Sequence, residues 1–294
     1  MARALITGAS GQDGSYMAEL LLSKGYEVFG LVRRSSQDNL SRIRHILDDI
    51  TLIYGDMSDS GSVHEAIELS EPDEIYNLAA MSFVPASWKQ PELTFDINAT
   101  GLIRLIQYSE PYNSKIYQAS SSEMYGNSYP FFQPLSPYGV SKLSAHYIAD
   151  IYRKKGRFIS CGICFNHESP RRGDEFVTKK ITNFFKNPVG KLRLGNLAAS
   201  RDWGYAGDYV EAMHLMLQQE KPDDYEIATG ETHTIREFLD IVNPNWEHYV
   251  EVDPMLLRPN DVITLKGNPS KIMALGWEPS VSFEGLVKMM VSHE

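Results

Sequence analysis

From residue 1 to residue 165, short apolar runs recur along the chain, separated by segments whose apolar positions return at helical spacing. Arg3 to Thr7, Glu27 to Val32, Thr51 to Tyr54, Glu74 to Leu78, Lys115 to Ala119 and Phe158 to Cys164 read as strands. Between them, Tyr16, Met17, Leu20, Leu21 and Leu22 mark a helix that closes at Gly25. Further helices are expected from Asp59 to Ser70, from near Pro91 to Tyr108 and from Tyr138 to about Arg153. This alternation predicts an α/β fold, a doubly wound parallel sheet that takes its ligands outside the carboxyl ends of the strands. Beyond Cys164 the pattern becomes irregular, with helices expected from Phe176 to Asn187, Asp208 to Gln219, Thr234 to Val242 and Phe283 to Val291, and a strand from Tyr225 to Ala228 that returns to the sheet. Two domains follow: residues 1–165 with the return segment 206–230, and a smaller, mostly C-terminal substrate-binding domain made of 166–205 and 231–294.

The glycines sharpen this picture. The first strand runs into Gly8-Ala9-Ser10-Gly11-Gln12-Asp13-Gly14 and then a helix. Glycines there let the backbone turn tightly and approach a diphosphate that the positive end of the helix can hold. The spacing is G-x-x-G-x-x-G, not the G-x-G-x-x-G dinucleotide fingerprint, and a plain turn would use the same residues. The second strand ends in Arg33-Arg34-Ser35-Ser36, where an NAD-specific protein usually places an acid; the first acid here is Asp38. Arginine forks and serine hydroxyls suit a 2'-phosphate, hence NADP over NAD; a solvated basic turn is the competing reading. Asp56, in Gly55-Asp56-Met57, faces an adenine or caps the next helix. Small residues in Leu78-Ala79-Ala80-Met81-Ser82 permit close ligand approach at a strand end.

A second group of polar residues falls at the same sheet edge. Ser120-Ser121-Ser122-Glu123 follows the fifth strand, and Tyr138 and Lys142 stand four apart on the next helix, so their side chains share a face. A lysine so placed favours the phenolate and makes Tyr138 a base near neutral pH. Chance alone puts a Tyr and a Lys at this spacing on many helices, so the pair gains meaning only from its neighbours. In the second part of the chain, Lys191, Arg193 and Arg201 gather basic groups that clamp a diphosphate or form a solvated face, and Arg258 adds one more in a loop.

Composition removes several classes. The chain has 294 residues, with 38 acidic against 28 basic and a formal net charge of -10, which disfavours nonspecific binding to nucleic acid or an anionic membrane. No apolar run reaches the ~18 residues of a membrane span and no signal-peptide pattern opens the sequence, so a cytoplasmic protein is expected. Cys161 and Cys164 lie in an apolar strand, where positions i and i+3 point to opposite faces; buried thiols are expected, not a redox pair. His167 reads as a hydrogen-bonded structural residue, and no metal is assigned.

Taken in order, Ala4 to Glu19 with Arg33-Arg34-Ser35-Ser36, Ile75 to Ala80, Gln118 to Gly126 with Ser136 to Lys142, Phe165 to Gly173, and Leu194 to Leu197 through Arg201 to Gly204 resemble the extended short-chain dehydrogenase/reductases and, within them, the GDP-mannose 4,6-dehydratase family. Glu123 is the most informative residue: related sugar epimerases and 4-keto reductases lack a glutamate there, and glucose 4,6-dehydratases carry an Asp-Glu pair. The resemblance implies a Rossmann domain and redox-neutral loss of water from GDP-mannose. It implies catalytic roles for Ser121, Ser122, Glu123, Tyr138 and Lys142. NADP contacts would come from Gly8, Gly11, Gln12, Asp13, Gly14, Arg33, Arg34, Ser35, Asp56, Met57, Leu78, Ala79, Ala80, Tyr138, Lys142, His167 and Arg172. Ser82, Glu123, Asn166, Lys191, Arg193, Arg201 and Arg258 would face the sugar nucleotide. A nucleotide-sugar epimerase or 4-keto reductase would use the same Tyr138 and Lys142, and a catalytically silent NADP-sensing or scaffold protein of this fold would be expected to lose one of them.

Departures from the family pattern are few. Ser121 replaces the usual threonine, and Met81 and Phe83 stand where glutamine and histidine are common, which alters a pocket wall. Segments after Ser36, between Gly126 and Ser136, and between Val242 and Asp253 are shorter than usual. The first adjoins the arginine loop that in the family crosses to a neighbouring subunit, so the expected assembly is a homodimer or a homotetramer.

Overall fold

The computed structural model describes residues 1–257, 262 and 264–292. Along the chain the strands are β1 (Arg3–Thr7), β2 (Glu27–Val32), β3 (Thr51–Tyr54), β4 (Glu74–Asn77), β5 (Lys115–Ser121), β6 (Ile159–Cys164), β7 (Asn166–Glu168), β8 (Leu192–Leu194), β9 (Ser200–Arg201), β10 (Trp203–Tyr205), β11 (Asp224–Ile227), β12 (His233–Thr234), β13 (Val250–Val252) and β14 (Thr264–Leu265). The helices are α1 (Gln12–Ser23), α2 (Ser60–Ser70), α3 (Val84–Lys89), α4 (Pro91–Phe95), α5 (Gly101–Tyr108), α6 (Pro137–Lys154), α7 (Val177–Lys186), α8 (Ala206–Leu217), α9 (Ile235–Val242), α10 (Ser270–Met273) and α11 (Phe283–Ser292). Seven strands form one sheet in the order β11-β6-β5-β4-β1-β2-β3, every pair parallel. The order reverses between β1 and β4, so chains leaving those two strands diverge and open a crevice at their carboxyl ends.

Both faces of this sheet are covered, which is why its strands read as unbroken apolar runs. On one face Met17, Leu21, Met213 and Met216 of α1 and α8 pack with Ile6 and Val28; on the other, Val63, Ile67, Leu102, Leu105 and Ala145 of α2, α5 and α6 pack with Leu5, Ile75 and Ile116. A separate core, including Ile181, Phe238, Leu239, Leu286 and Met290, unites α7, α9 and α11 in the smaller lobe. Ile272 and Trp277 belong to the sheet's core, not the lobe's, so that part of the expected 231–294 segment packs with the larger domain: the Trp277 indole donates to the Asp208 carbonyl at the start of α8. Cys161 and Cys164 are both buried and unpaired, on opposite faces of β6.

Local sequence sets where the site's helices start. Ser136 accepts from the Gly139 amide at 3.0 Å, and Pro137 occupies the first turn of α6, where a missing N–H costs nothing. The helix expected from Pro91 to Tyr108 is interrupted by a π turn at Asp96–Thr100. Its Asn98 accepts from the Met81 amide at 2.9 Å and donates to Ser141 Oγ at 2.9 Å, tying the loop after β4 to α6. A π turn at such a position re-aims one side chain.

Candidate active site

Gly8 leaves β1 with φ +71, and a methyl group added there would lie 2.9 Å from the Ala79 Cα; one on Gly14 would lie 2.2 Å from the Gly8 carbonyl oxygen. The turn and the end of β4 therefore meet through bare backbone. Thr7 holds this junction, donating to Asn77 Oδ1 at 2.7 Å and accepting from the Leu78 and Ala79 amides at 3.1 Å. Asn77 continues to Gln118 Oε1 at 2.6 Å, so β1, β4 and β5 are tied by side chains at their carboxyl ends. Among the described residues no side chain caps the amino end of α1. A glycine cradle at an uncapped helix start, beside the sheet's reversal point, fits the diphosphate of a dinucleotide.

A cavity of about 1410 Å³ extends from this cradle along the sheet edge into the lobe. It is lined by all five residues expected to catalyse, Ser121, Ser122, Glu123, Tyr138 and Lys142. Ser121 caps the short turn Ser122–Met124, accepting from the Glu123 amide at 3.2 Å, and its hydroxyl also bonds the Tyr138 phenol. Gly139 lets α6 pack onto this turn, since a methyl group there would meet the Glu123 carbonyl oxygen at 2.8 Å. The geometry thus brings a hydroxyl, a carboxylate and a phenol to one wall.

The expected effect of Lys142 on Tyr138 is not what the structure gives. Lys142 Nζ lies 6.0 Å from the Tyr138 ring centre and donates to the Ala119 carbonyl at 2.8 Å. Burial pushes the Tyr138 phenol up, the Ser121 bond and Arg172 pull it down, and the Glu123 charge pushes it up again; the net direction is up. Lys142, buried in turn, is lowered to about 8. The cost of desolvating each charge exceeds what a lysine at this distance offers.

Among the expected cofactor residues, Gly8, Gly11, Gln12, Asp13, Gly14, Arg33, Asp56, Met57, Leu78, Ala79, Ala80, His167 and Arg172 line the cavity, while Arg34 and Ser35 do not. Ser35 instead accepts from the Gln37 amide in its own turn. Asp56 is not the cap of α2. Asp59 is, accepting from Gly61 and Ser62, and Asp56 holds Ser58 at 2.7 Å while facing the cavity. Of the residues expected to face the sugar nucleotide, Ser82 and Glu123 of the large domain and Asn166, Arg193 and Arg201 of the lobe line it. Lys191 lies outside, its ammonium on the His248 carbonyl at 2.9 Å, and Arg258 falls outside the described residues.

Several lining residues were not expected. Arg42 reaches the glycine turn, donating to the Arg171 carbonyl at 2.7 Å and approaching the Ser10 carbonyl at 3.5 Å. Its signal is faint, one arginine in a polar loop. Phe83 meets Phe176 edge to face at 5.7 Å, and Arg172 lies 3.6 Å over the Phe176 ring. The wall that the Phe83 departure alters is therefore an aromatic bridge between the large domain and the lobe. Elsewhere, His146, Cys161 and Asp224 stand within 4.8 Å of one another, but the Arg153 guanidinium binds Asp224 and lies 3.7 Å from Cys161 Sγ, supplying the positive charge there.

Parallel sheet, glycine turn and the Ser/Tyr/Lys set at the sheet edge define an extended short-chain dehydrogenase/reductase. Solved relatives agree in fold: the UDP-glucose 4-epimerase of Thermus thermophilus in complex with NAD superposes with a TM-score of 0.87 at 27% identity, covering 99% of this chain and 98% of that one. DesIV, a dTDP-glucose 4,6-dehydratase from Streptomyces venezuelae with NAD and TYD bound, gives 0.86 at 26% identity over 98% and 95%. The model of the family described as GDP-mannose 4,6 dehydratase matches residues 5–290. GDP-mannose 4,6 dehydratase 1 of Arabidopsis thaliana is 51% identical over 99% of this chain and 89% of its own length, and the GDP-mannose 4,6-dehydratase of Yersinia enterocolitica is 41% identical over 99% and 93%. The chain belongs to the GDP-mannose 4,6-dehydratase family.

Proposed function

We propose that this chain is a hydro-lyase that converts GDP-mannose to GDP-4-keto-6-deoxy-mannose and water, with NADP as its resident dinucleotide. The observation that carries the reading is the Glu123 carboxylate set beside Tyr138 in the shared cavity, close enough for its charge to act on the phenol. A bound nicotinamide dinucleotide supplies a hydride acceptor for C4 and a hydride donor for C6, and in its oxidised form adds positive charge to the cavity. The chain's own groups handle the protons. Tyr138 Oη takes the proton of the sugar's 4-hydroxyl while Ser121 Oγ holds that oxygen. With C4 a ketone, the C5 proton becomes acidic, and the Glu123 carboxylate removes it. Glu123, now protonated, gives its proton to the departing 6-hydroxyl, directly or through Ser122; C5 regains a proton when C6 is reduced, and the proton held by Tyr138 makes up that balance. Asn166, Arg193 and Arg201 hold the diphosphate end of the substrate, and Arg33 faces the ribose end of the cofactor.

Deuterium at C4 of GDP-mannose should be recovered on C6 of a product one water lighter, with no net reduced cofactor. Mass spectrometry reads both, and label found in released reduced cofactor sinks the reading. Parallel incubations of stripped protein with NADP or NAD should favour NADP; equal rates would count against the 2'-phosphate role of Arg33.

The protein acts in the cytoplasm; among the described residues no helix is long and apolar enough to cross a membrane. It assembles as a homodimer or homotetramer through the face on which α6 exposes Val140, Tyr147 and Ile151 beside Leu93 and Phe95 of α4. Light scattering should return a multiple of the 33.2 kDa chain mass, and a monomer at micromolar concentration would exclude this assembly.

A further inference from the structure

We infer that His167 is held as a doubly protonated imidazolium, latched to Asp13 of the glycine turn, and that its charge sets how tightly the dinucleotide is held. The inference rests on the reading of the cradle as a dinucleotide site and adds to it a positioning residue and a pH dependence.

Both ring nitrogens of His167 face acceptors. Nδ1 lies 2.8 Å from the Phe165 carbonyl oxygen, which can only accept, so Nδ1 carries a proton. Nε2 lies 2.8 Å from Asp13 Oδ2. One proton is shared between Nε2 and that carboxyl, and it resides on the imidazole because a histidine is more basic than a carboxylate by ~2.6 pH units before either is perturbed. The other Asp13 oxygen accepts from Gln12 Nε2 at 3.0 Å, as an ionised carboxylate does. The His167 ring lies stacked on Tyr209 of α8 at 4.7 Å, so it cannot turn away without losing that contact.

An acid at the second position of α1 is unusual company for a diphosphate, since the two negative groups repel. His167 removes that repulsion. It also fastens the turn to the lobe's first strand, where Gln12 reaches the His167 carbonyl at 3.2 Å and receives a bond from Ser169 at 2.8 Å. Burial raises Asp13, but His167, Gln12 and Arg172 together outweigh it and hold the carboxyl at about 2; burial lowers His167, and Asp13 outweighs that, so the imidazole is raised. The other charges acting on the pair are Arg172, itself 3.1 Å from Glu168, and Lys142 of α6; Tyr117 and Cys164 of the sheet are pushed up by burial and stay neutral.

Two measurements test this on the full chain. Long-range proton–nitrogen correlation of the imidazole rings, with the His167 signal assigned by its loss in His167→Gln, should show both ring nitrogens protonated at pH 7.5. A neutral tautomer at that pH overturns the inference. Dissociation constants for NADP, and for NAD as a probe without the titratable 2'-phosphate, should rise about tenfold as pH climbs through the His167 titration, the change expected if binding raises that imidazole by about one further pH unit. His167→Gln should bind more weakly at pH 6.5 and lose this limb, and Asp13→Asn should move the limb to lower pH. A His167→Gln protein with the wild-type pH profile sinks the proposal, as would an Asp13→Asn protein whose limb stays in place. If neither dinucleotide binds at any pH while the ring is doubly protonated, the cofactor reading fails and the latch stands.

Discussion

Glu123→Gln should slow loss of water by on the order of a thousandfold, within the range of general acid–base catalysis, while leaving oxidation at C4 intact. The substitution keeps the shape of the side chain. It does not disturb the Glu123 amide bond to Ser121 or the Glu123 carbonyl against Gly139, so the turn that carries Tyr138's neighbours should persist. What it removes is a base for the C5 proton. It also removes a negative charge that pushes the Tyr138 phenol up, so proton removal from the 4-hydroxyl should be no harder than before. On mixing with GDP-mannose, the variant should accumulate up to one equivalent of reduced cofactor per subunit, seen as near-ultraviolet nicotinamide absorbance, and then stall. Wild-type dehydration by the variant would remove Glu123 from the mechanism, and a loss of both half-reactions would show that it supports Tyr138 instead.

How far the chain could be read before folding depends on the distance over which each feature is decided. The glycine turn was legible because strand, turn and helix are consecutive, and the departure from the usual spacing did not matter once Gly8 and Gly14 met only backbone. The Tyr138/Lys142 face was legible from helical period. Its electrostatics were not, because burial and the Glu123 charge outweigh the Ser121 bond, and the lysine turns to Ala119. Phe83 was placed on a pocket wall, but Arg42 and Phe176 escaped because each reaches the cavity from a loop or lobe edge through contacts no local pattern encodes. Asp13 and His167 lie 154 positions apart, so a histidine that read as merely hydrogen-bonded acquired a charge partner only in three dimensions. Lys191 shows the reverse case: charge similarity grouped it with Arg193, as a diphosphate clamp or a solvated face, and its ammonium turns to the His248 carbonyl.

Tyr138→Phe should cost about 10³ to 10⁴ in kcat with little change in KM, and, unlike Glu123→Gln, it should produce no reduced cofactor at all. Phenylalanine fills the same buried volume and leaves Ser136 capping α6, so the fold and the cavity wall survive. Only the oxygen that exchanges a proton with the substrate is lost. The same residue gives the wild-type enzyme its pH dependence, and the sign can be worked out. The phenol is raised by burial, so as pH falls below neutral the base form becomes scarcer and kcat should drop. Lys142 is lowered to about 8, so above that pH it sheds the positive charge that assists a phenolate, and the gain in kcat should level off. The expected profile therefore rises from pH 6 and flattens near 8. Lys142→Met should remove the break near 8 and lower the whole curve. A profile flat from pH 6 to 9 in the wild type, with chemistry shown to be rate-limiting by a deuterium effect at C4, would mean that the proton leaves the 4-hydroxyl by another route.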